Sequence, residues 1–251
     1  MQAEVHELMI RSTRSRRPNT VVVMAGGFGS RLGELTRNIP KPLIPVAGQP
    51  MLERIIHRMK SYGLLNYVLT THYLPEKIRA HCGDGSGWGV NINYSHESTP
   101  LGTAGGLAMI RDVGDEAILV CNADILTDID YSDLLNFHYG KDAALTVVTV
   151  PYTIQVPFGV LSVSSSQEIE TVDEKPTYTY HVSAGTYVMN PEALRLIKPG
   201  ERLDMPQLIE RVKASGGTVA AYGFNGYWMD IGRPDDLQRA ARDLGLSVLA
   251  S

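Results

Sequence analysis

The chain of 251 residues lacks the features that mark secreted, membrane-bound or disulfide-rich proteins. Its two cysteines, Cys82 and Cys121, are far apart and belong to no Cys-x-x-Cys or Cys/His motif, so neither a disulfide framework nor a structural zinc site is indicated. No apolar run approaches the roughly 18 residues of a membrane span, and the N-terminus has no signal-peptide core. We therefore expect a cytoplasmic protein with reduced thiols and no membrane partner.

Excess positive charge is also absent, because the net charge is −4. A chain of this charge has no overall electrostatic footprint for nucleic acid, so we expect no nucleic-acid partner. One arginine-rich stretch, from Arg11 to Arg17, precedes the first apolar segment. We interpret residues 1–19 as a flexible leader rather than a phosphate-binding arm, and we assign residues 20–251 to the folded domain.

Three glycines in four positions, Gly26, Gly27 and Gly29, follow the apolar run that begins at Val21. The β-branched run predicts a buried strand, and the glycines allow the backbone to turn sharply and approach a ligand closely. Backbone N–H groups in such a turn point at anions, and Arg31 and Lys41 add positive charge nearby. Glycines alone would rather indicate an unliganded turn, but with these two cations the segment predicts a polyphosphate site.

Neither of the two common nucleotide-binding motifs fits this loop. A dinucleotide fingerprint counted from Gly27 would need a third glycine where Leu32 stands, and a P-loop would need a lysine in place of Glu34. The segment Gly-Gly-x-Gly-x-Arg-Leu from Gly26, followed by Pro-Lys-Pro-Leu-x-Pro-Val-x-Gly-x-Pro-Met at residues 40–51, instead resembles the signature of the sugar-1-phosphate nucleotidyltransferases, or NDP-sugar pyrophosphorylases. The likeness is closest to guanylyltransferases of the mannose- or heptose-1-phosphate type.

Strand and helix patterns alternate along the chain, which predicts right-handed crossovers and a parallel sheet. The resemblance covers about Thr20 to Ala241 and implies an α/β fold: a single Rossmann-like nucleotidyltransferase domain with a central, mostly parallel mixed sheet flanked by helices. Ligands bind at the carboxyl ends of strands in such sheets, which is where the Gly26–Gly29 loop is expected. Because the chain stops soon after Leu246, we expect no C-terminal acyltransferase or regulatory domain.

Two glycine-containing segments are expected to bind the nucleotide. The resemblance assigns Ala25, Gly26, Gly27 and Gly29 to nucleotide binding, and it places Gly102 and Gly105 of the Pro-Leu-Gly-Thr-Ala-Gly segment at the base. Taken alone, the small residues of the second segment would indicate close packing of a helix on the sheet. In the family this segment is the form seen in guanylyl- and uridylyl-type branches, which makes GTP the expected nucleotide.

Two aspartates are expected to hold magnesium. Asp124 follows the apolar run that ends at Cys121, and a carboxylate at the ligand end of a sheet can hold a hard divalent cation. A lone aspartate would rather cap a turn. The Asn-x-Asp pattern that ends at Asp124 and the Trp-x-Asp-Ile-Gly-x-Pro pattern around Asp230 resemble the metal-binding segments of the family, and so imply a Mg²⁺ site.

Four residues are expected to contact the sugar phosphate. The resemblance assigns this role to Gly159, Glu174, Lys175 and Gly185. A glutamate can accept hydrogen bonds from sugar hydroxyls, and a lysine can neutralise the phosphate. A bare Glu-Lys pair is usually a solvated strand end. Around Gly185 the chain departs from the family pattern, since Ser183 replaces the usual asparagine, which leaves the sugar contacts there open.

The resemblance implies transfer of a nucleoside monophosphate from a nucleoside triphosphate to a sugar 1-phosphate, with release of pyrophosphate. Arg31 is expected to bind the leaving phosphates, Lys41 to stabilise charge at the α-phosphate and Lys175 to position the nucleophile. The expected substrates are GTP and a mannose-like, heptose-like or amino-sugar 1-phosphate, while UTP, CTP, ATP and dTTP remain alternatives.

A glycosyltransferase that uses a sugar nucleotide is the alternative from another class, because it can also carry a carboxylate at a strand end. It would not need the glycine-rich loop together with the Pro-Lys-Pro segment. The resemblance leaves assembly into a homo-oligomer open.

Overall fold

Apolar, β-branched segments of the chain form the centre of one large sheet. The computed structural model describes residues 15–110 and 113–244. The strands are β1 (Arg17–Met24), β2 (Pro45–Val46), β3 (Gln49–Pro50), β4 (Leu64–Thr71), β5 (Asn91–His96), β6 (Ile118–Asn122), β7 (Ile125–Thr127), β8 (Leu145–Gln155), β9 (Gly159–Val163), β10 (Ile169–Glu174), β11 (Thr177–Met189), β12 (Val219–Gly223) and β13 (Trp228–Asp230).

Seven of these strands make the central sheet, in the order β12-β8-β11-β6-β1-β4-β5. β1 lies between β4 and β6 and runs parallel to both. β11 alone runs antiparallel to its two neighbours, β6 and β8. The expected mostly parallel mixed sheet of an α/β fold is thus confirmed.

Helices cover both faces of the sheet. They are α1 (Met51–Lys60), α2 (Pro75–Cys82), α3 (Gly102–Gly105), α4 (Tyr131–Gly140), α5 (Pro191–Leu194), α6 (Met205–Ala214) and α7 (Pro234–Asp243), with 3₁₀ turns at Ser30–Thr36, Lys41–Leu43, Ser86–Trp88 and Gly106–Met109. Within the described ranges, no helix is long and apolar enough to cross a membrane.

Side chains that alternate along β1 show how the two faces are filled. Val21 and Val23 pack with Leu52 of α1 on one face, whereas Val22 packs with Leu208 of α6 on the other. Successive residues of a strand point to opposite faces, so a strand covered on both sides is apolar throughout. Helices on both faces leave the carboxyl ends of the parallel strands as the open edge.

The first strand begins inside the segment that we predicted as a leader. The amide of Arg17 donates to the carbonyl of Gly63, 2.9 Å away. The side chain of Asn19 is buried, and its Nδ2 donates to the carbonyl of Ala117 at 2.7 Å. Residues 17–19 therefore belong to the sheet, because a polar side chain can be buried when a neighbouring strand supplies its partner. Residues 1–14 of that leader, and 245–251 of the predicted domain, lie outside the described residues.

One part of the chain extends beyond the sheet. β8 and β11 remain paired out to Gln155 and Thr177, whereas their other neighbours, β12 and β6, accompany only the inner halves of these strands. The β9–β10 pair lies between them in the sequence. We call residues 151–181 the arm, and none of its residues is buried.

Candidate active site

A glycine-rich loop at the carboxyl end of β1 forms one wall of a cleft of about 260 Å³. The amide of Ala25, which is buried, donates to the carbonyl of Thr70 at 2.9 Å and so continues the sheet up to the loop. The opposite wall is the segment 100–107, and the polar groups of Glu97, Asn122 and Asp124 also face the cleft. The cleft thus lies at the ligand end of the sheet, as predicted.

The three glycines of the loop have different surroundings. A Cβ atom on Gly26 would lie 3.3 Å from Cβ of His72, whereas one on Gly27 would have no protein atom within 4 Å. Gly29 has φ +64°, and a Cβ there would lie 2.8 Å from Cγ2 of Thr36. Gly29 is therefore required by the turn itself. Gly27 instead leaves free space on the side of the cleft.

Lys41 and Asp124 form an ion pair beside this loop. Lys41 is 8% exposed, and its Nζ contacts Oδ2 of Asp124. A lysine so far removed from water requires such a partner, because an unpaired buried charge is costly. The other carboxylate oxygen of Asp124, Oδ1, is buried and has no hydrogen-bond partner in the described part of the chain.

Asp230 lies next to this pair. β13 runs antiparallel to β7 with Asp230 opposite Ile125, and the amide of Ile231 donates to the carbonyl of Asp124 at 2.9 Å. Partial desolvation raises the pKa of Asp230, and the charge of Asp124 raises it further, while Lys41 and Arg31 oppose the shift. The Lys41–Asp124 ion pair, the backbone bond from Ile231 to Asp124 and the position of Gly232 between Arg31 and Asp230 bring all four side chains into one cluster.

Arg31 lies beside Asp230 in that cluster. A Cβ atom on Gly232 would lie 3.6 Å from Nη1 of Arg31 and 3.7 Å from Oδ1 of Asp230, so the guanidinium and the carboxylate flank the same glycine. Arg31 makes no hydrogen bond or ion pair within residues 15–110 and 113–244. An exposed guanidinium without a protein partner can bind a phosphate through two parallel hydrogen bonds.

The two aspartates fit a magnesium ion better than a cation whose ligands all come from the protein. Among the residues that the structure describes, no group of three or more His, Cys, Asp or Glu side chains could hold a metal. Mg²⁺ is usually held by one or two carboxylates together with substrate phosphates. The unpartnered Oδ1 of Asp124, close to Asp230, is a donor set of that kind.

Gly102 and Gly105 are both packed closely against other parts of the protein. A Cβ atom on Gly102 would lie 2.6 Å from Oδ1 of Asp204, and one on Gly105 would meet the carbonyl of Glu201. Gly102 still contributes to the lining of the cleft, but Gly105 does not, and Gly106 lines it instead. The close-packing interpretation of this segment therefore accounts for the absence of side chains at both predicted positions.

Glu97 is a cleft residue that the sequence analysis missed. It is 7% exposed, and its Oε2 accepts a hydrogen bond from the amide of Leu101 at 3.1 Å. Burial raises the pKa of its carboxyl group, and that backbone hydrogen bond opposes the shift. A carboxylate immediately after a strand, here after β5, is the signal that identified Asp124, and the same signal could have found Glu97.

The predicted sugar-binding residues lie in two places. Gly185 is buried at an irregularity in β11 with φ +68°, and a Cβ on it would lie 2.8 Å from Nδ2 of Asn122, a cleft residue. Gly159 and Glu174 face each other in the β9–β10 pair of the arm. Lys175 is exposed, and its ion pair within the described residues is with Glu174 at 3.7 Å. The structure therefore brings Gly185 to the cleft but not the arm residues.

Comparison with known proteins shows the family of this chain. A model of the nucleotidyl transferase family matches residues 20–246, and the chain belongs to this family. It is 32% identical over 237 residues to the mannose-1-phosphate guanylyltransferase of Mycobacterium tuberculosis, which covers 92% of this chain and 66% of that protein. It is 29% identical over 240 residues to a UTP–glucose-1-phosphate uridylyltransferase of Synechocystis, with 88% and 62% covered. The chain thus spans just under two thirds of the length of these curated relatives.

A solved structure supports the fold. HddC from Yersinia pseudotuberculosis superposes with a TM-score of 0.70 at 23% identity, and the match covers 90% of this chain and 99% of that one. At this level of identity the likeness concerns the fold alone.

Proposed function

We propose that the protein transfers a nucleoside monophosphate from a nucleoside triphosphate, preferably GTP, to a sugar 1-phosphate. An oxygen of the sugar phosphate forms a bond to the α-phosphorus while the bond to the β-phosphate breaks, and pyrophosphate leaves. The observation that carries this proposal is the cluster of Arg31, Lys41, Asp124 and Asp230 beside a glycine-lined cleft. Membership of the nucleotidyl transferase family favours this reaction over the glycosyltransferase alternative.

The positive charges of Arg31 and Lys41 can offset the repulsion between the two negatively charged substrates of this reaction. Two polyanions must be brought together, so catalysis depends on positioning and charge neutralisation more than on covalent chemistry. Arg31, which has no hydrogen-bond or ion-pair partner among the described residues, binds the leaving β- and γ-phosphates. Lys41 already points at Asp124, and it stabilises charge at the α-phosphate once the nucleotide is bound.

Asp124 and Asp230 are the residues that would hold Mg²⁺. When bound, the ion would neutralise phosphate charge and orient the α-phosphate. Lys41 and that ion both interact with the carboxylate of Asp124 in this scheme. The buried Oδ1 of Asp124, which has no partner among the described residues, supports the assignment.

Glu97 supports guanine as the base. Oε1 of this carboxylate accepts no hydrogen bond within the described residues, while Oε2 accepts one from Leu101. An ionised carboxylate only accepts hydrogen bonds, and guanine presents two adjacent donors, N1–H and the N2 amino group. Uracil, cytosine and adenine do not present two adjacent donors on one edge. The relative from M. tuberculosis is named a guanylyltransferase, which points the same way.

The sugar phosphate is assigned to Gly185 at the cleft and to Gly159, Glu174 and Lys175 of the arm. Lys175 supplies the positive charge that a sugar phosphate needs, and Glu174 accepts hydrogen bonds from hydroxyl groups. The name of the first relative makes mannose 1-phosphate the first substrate to test.

Pyrophosphate release tests this proposal directly. The protein is incubated with Mg²⁺, each of five nucleoside triphosphates and mannose, glucose or an amino-sugar 1-phosphate. We expect release that requires both substrates and is fastest with GTP. Pyrophosphate formed without a sugar phosphate would contradict the transfer reaction, and efficient use of UTP in preference to GTP would contradict the role of Glu97 but not the reaction class.

A further inference from the structure

One aromatic side chain of the glycine-rich loop is exposed at the cleft. Phe28 stands between Gly27 and Gly29, lines the cleft and is 50% exposed. Of the fourteen large apolar side chains that are exposed in the described residues, it alone lines the cleft. The turn of the backbone depends on Gly29 and does not account for an aromatic residue at position 28. Aromatic side chains are common in the lining of ligand sites, so the ring is a candidate contact for the substrate.

Two rings from the segment after β4 support Phe28 without covering it. The ring centroids of Phe28 and His72 are 5.3 Å apart, with 85° between the ring planes, and those of Phe28 and Tyr73 are 5.6 Å apart at 51°. Tyr73 is itself held in place, because its hydroxyl group donates to the carbonyl of Arg37 at 2.9 Å. Neither ring pair is stacked face to face, and half of the Phe28 side chain remains open to solvent.

His72 also connects this ring to Glu97. Nδ1 of His72 lies 2.7 Å from the carbonyl oxygen of Glu97, and because a carbonyl only accepts hydrogen bonds, Nδ1 carries the proton. Glu97 is the residue that we assign to the donor edge of guanine. The aromatic ring and the carboxylate, which line the same cleft, are thus both attached to one histidine.

The cleft has room for a flat ring beside Phe28. Phe28 belongs to the wall that the glycine-rich loop forms, and Leu101 belongs to the opposite wall. A Cβ atom on Gly27 would have no protein atom within 4 Å, so the space next to Phe28 is free. A base whose edge is bound by Glu97 lies between these two walls, and one of its faces then meets Phe28. Aromatic side chains and nucleobases attract each other by stacking.

We propose that Phe28 stacks on the base of the bound nucleoside triphosphate. This contact is at the face of the base, whereas Glu97 contacts its edge. The identity of the ligand rests on the proposed function. Stacking does not depend on the donors and acceptors of the base, so Phe28 strengthens nucleotide binding while Glu97 selects guanine. The phosphates are bound separately, by Arg31 and Lys41.

Two ligands that differ in the presence of a base test this proposal. Isothermal titration calorimetry is carried out with Mg²⁺ and without sugar phosphate, first with GTP and then with inorganic tripolyphosphate, which has no base. The variants are Phe28→Ala and Phe28→Trp. The matched control is Leu35→Ala, because Leu35 is 46% exposed in the turn after the loop and lies outside the lining of the cleft. Thermal melting shows that each variant is folded.

We expect Phe28→Ala to weaken the binding of GTP by about tenfold to a hundredfold, which is the usual loss when a stacked aromatic side chain is removed. Its affinity for tripolyphosphate should equal that of the wild-type protein, since this ligand has no base to stack. Phe28→Trp should bind GTP at least as tightly as the wild-type protein, because the indole ring is larger. Leu35→Ala should resemble the wild-type protein with both ligands.

Three results would overturn the proposal. The first is unchanged affinity of Phe28→Ala for GTP. The second is an equal loss for GTP and tripolyphosphate, which would show that Phe28 only supports the phosphate-binding loop, and the third is a Phe28→Trp protein that binds GTP as weakly as Phe28→Ala. Failure of the proposed function would be seen separately, as a wild-type chain whose GTP affinity depends on Phe28 but which releases no pyrophosphate with any sugar phosphate.

Discussion

The cleft and the arm differ in what fixes their side chains. At the cleft, Lys41 is buried and paired with Asp124, and Gly185 is packed against Asn122. In the arm, Glu174 and Lys175 interact with each other in a segment without a buried residue. The sheet fixes the residues that we propose to bind the nucleotide, whereas three of the residues that we propose to bind the sugar lie in a segment without a buried residue. Substitutions in the two regions should therefore differ in size and in the kinetic constant that they change.

Removal of the Lys41 ammonium should have the largest effect. We expect Lys41→Met to lower kcat by about a thousandfold, because a charge aimed at the α-phosphate is lost. The matched control is Lys60→Met, since Lys60 is exposed and its amino group donates to the carbonyl of Trp88. Turnover is measured as pyrophosphate release and folding by thermal melting. A folded Lys41→Met protein with near-normal kcat would remove Lys41 from the mechanism.

Arg31→Ala should come next, with a loss of about a hundredfold in kcat/KM for the nucleotide. The melting temperature should stay unchanged, because Arg31 has no partner among the described residues. Arg37→Ala is the control, since this exposed arginine of the same turn pairs with Glu34 at 2.6 Å. Equal kinetics of the two variants would show that Arg31 does not contact substrate.

Glu97→Gln should change the choice of base. We expect kcat/KM for GTP to fall by about tenfold to a hundredfold relative to UTP, because the amide presents a donor to the donors of guanine. Burial raises the pKa of Glu97. In the wild-type protein, KM for GTP should therefore rise on acidification, and this rise should begin at a pH above the usual titration range of glutamate. Glu97→Gln should lack this pH dependence, and Glu116→Gln, on an exposed side chain, should retain it. Unchanged base selectivity would exclude Glu97 from recognition of the base.

The smallest effect is expected in the arm. Lys175→Ala should raise KM for the sugar 1-phosphate by about tenfold and leave kcat and the melting temperature nearly unchanged, because the exposed ion pair with Glu174 adds little stability. Lys175→Arg keeps the charge and should restore most of the affinity. If Lys175→Ala lowered kcat as much as Lys41→Met does, the arm would belong to the reacting centre and the contrast between the two regions would fail.

Local apolar patterns predicted strands of the sheet, and the family motifs singled out Lys41, Asp124 and Asp230, which the structure brings together. The apolar run that contains Val22 predicted a buried strand, Asp124 follows another such run, and Asp230 lies within a short motif. These signals are contained in a few neighbouring residues, which is why the sequence alone reveals them.

Features that depend on distant segments could not be predicted in this way. The start of β1 was missed because Asn19 looks like a loop residue until Ala117 supplies its hydrogen-bond partner. Gly105 was expected at the cleft, but it packs against residues 201–203, and Gly106 lines the cleft instead. No short sequence window contains the packing of this segment on residues 201–204.

The irregularity of β11 at Gly185 has a mechanical consequence. The same strand runs from Thr177 in the arm, past Gly185 beside the cleft residue Asn122, to Met189 in the central sheet. Tilting of the arm would therefore bend β11 at the irregularity around Gly185. A protein that binds the arm would thereby displace Gly185 relative to Asn122 at the cleft.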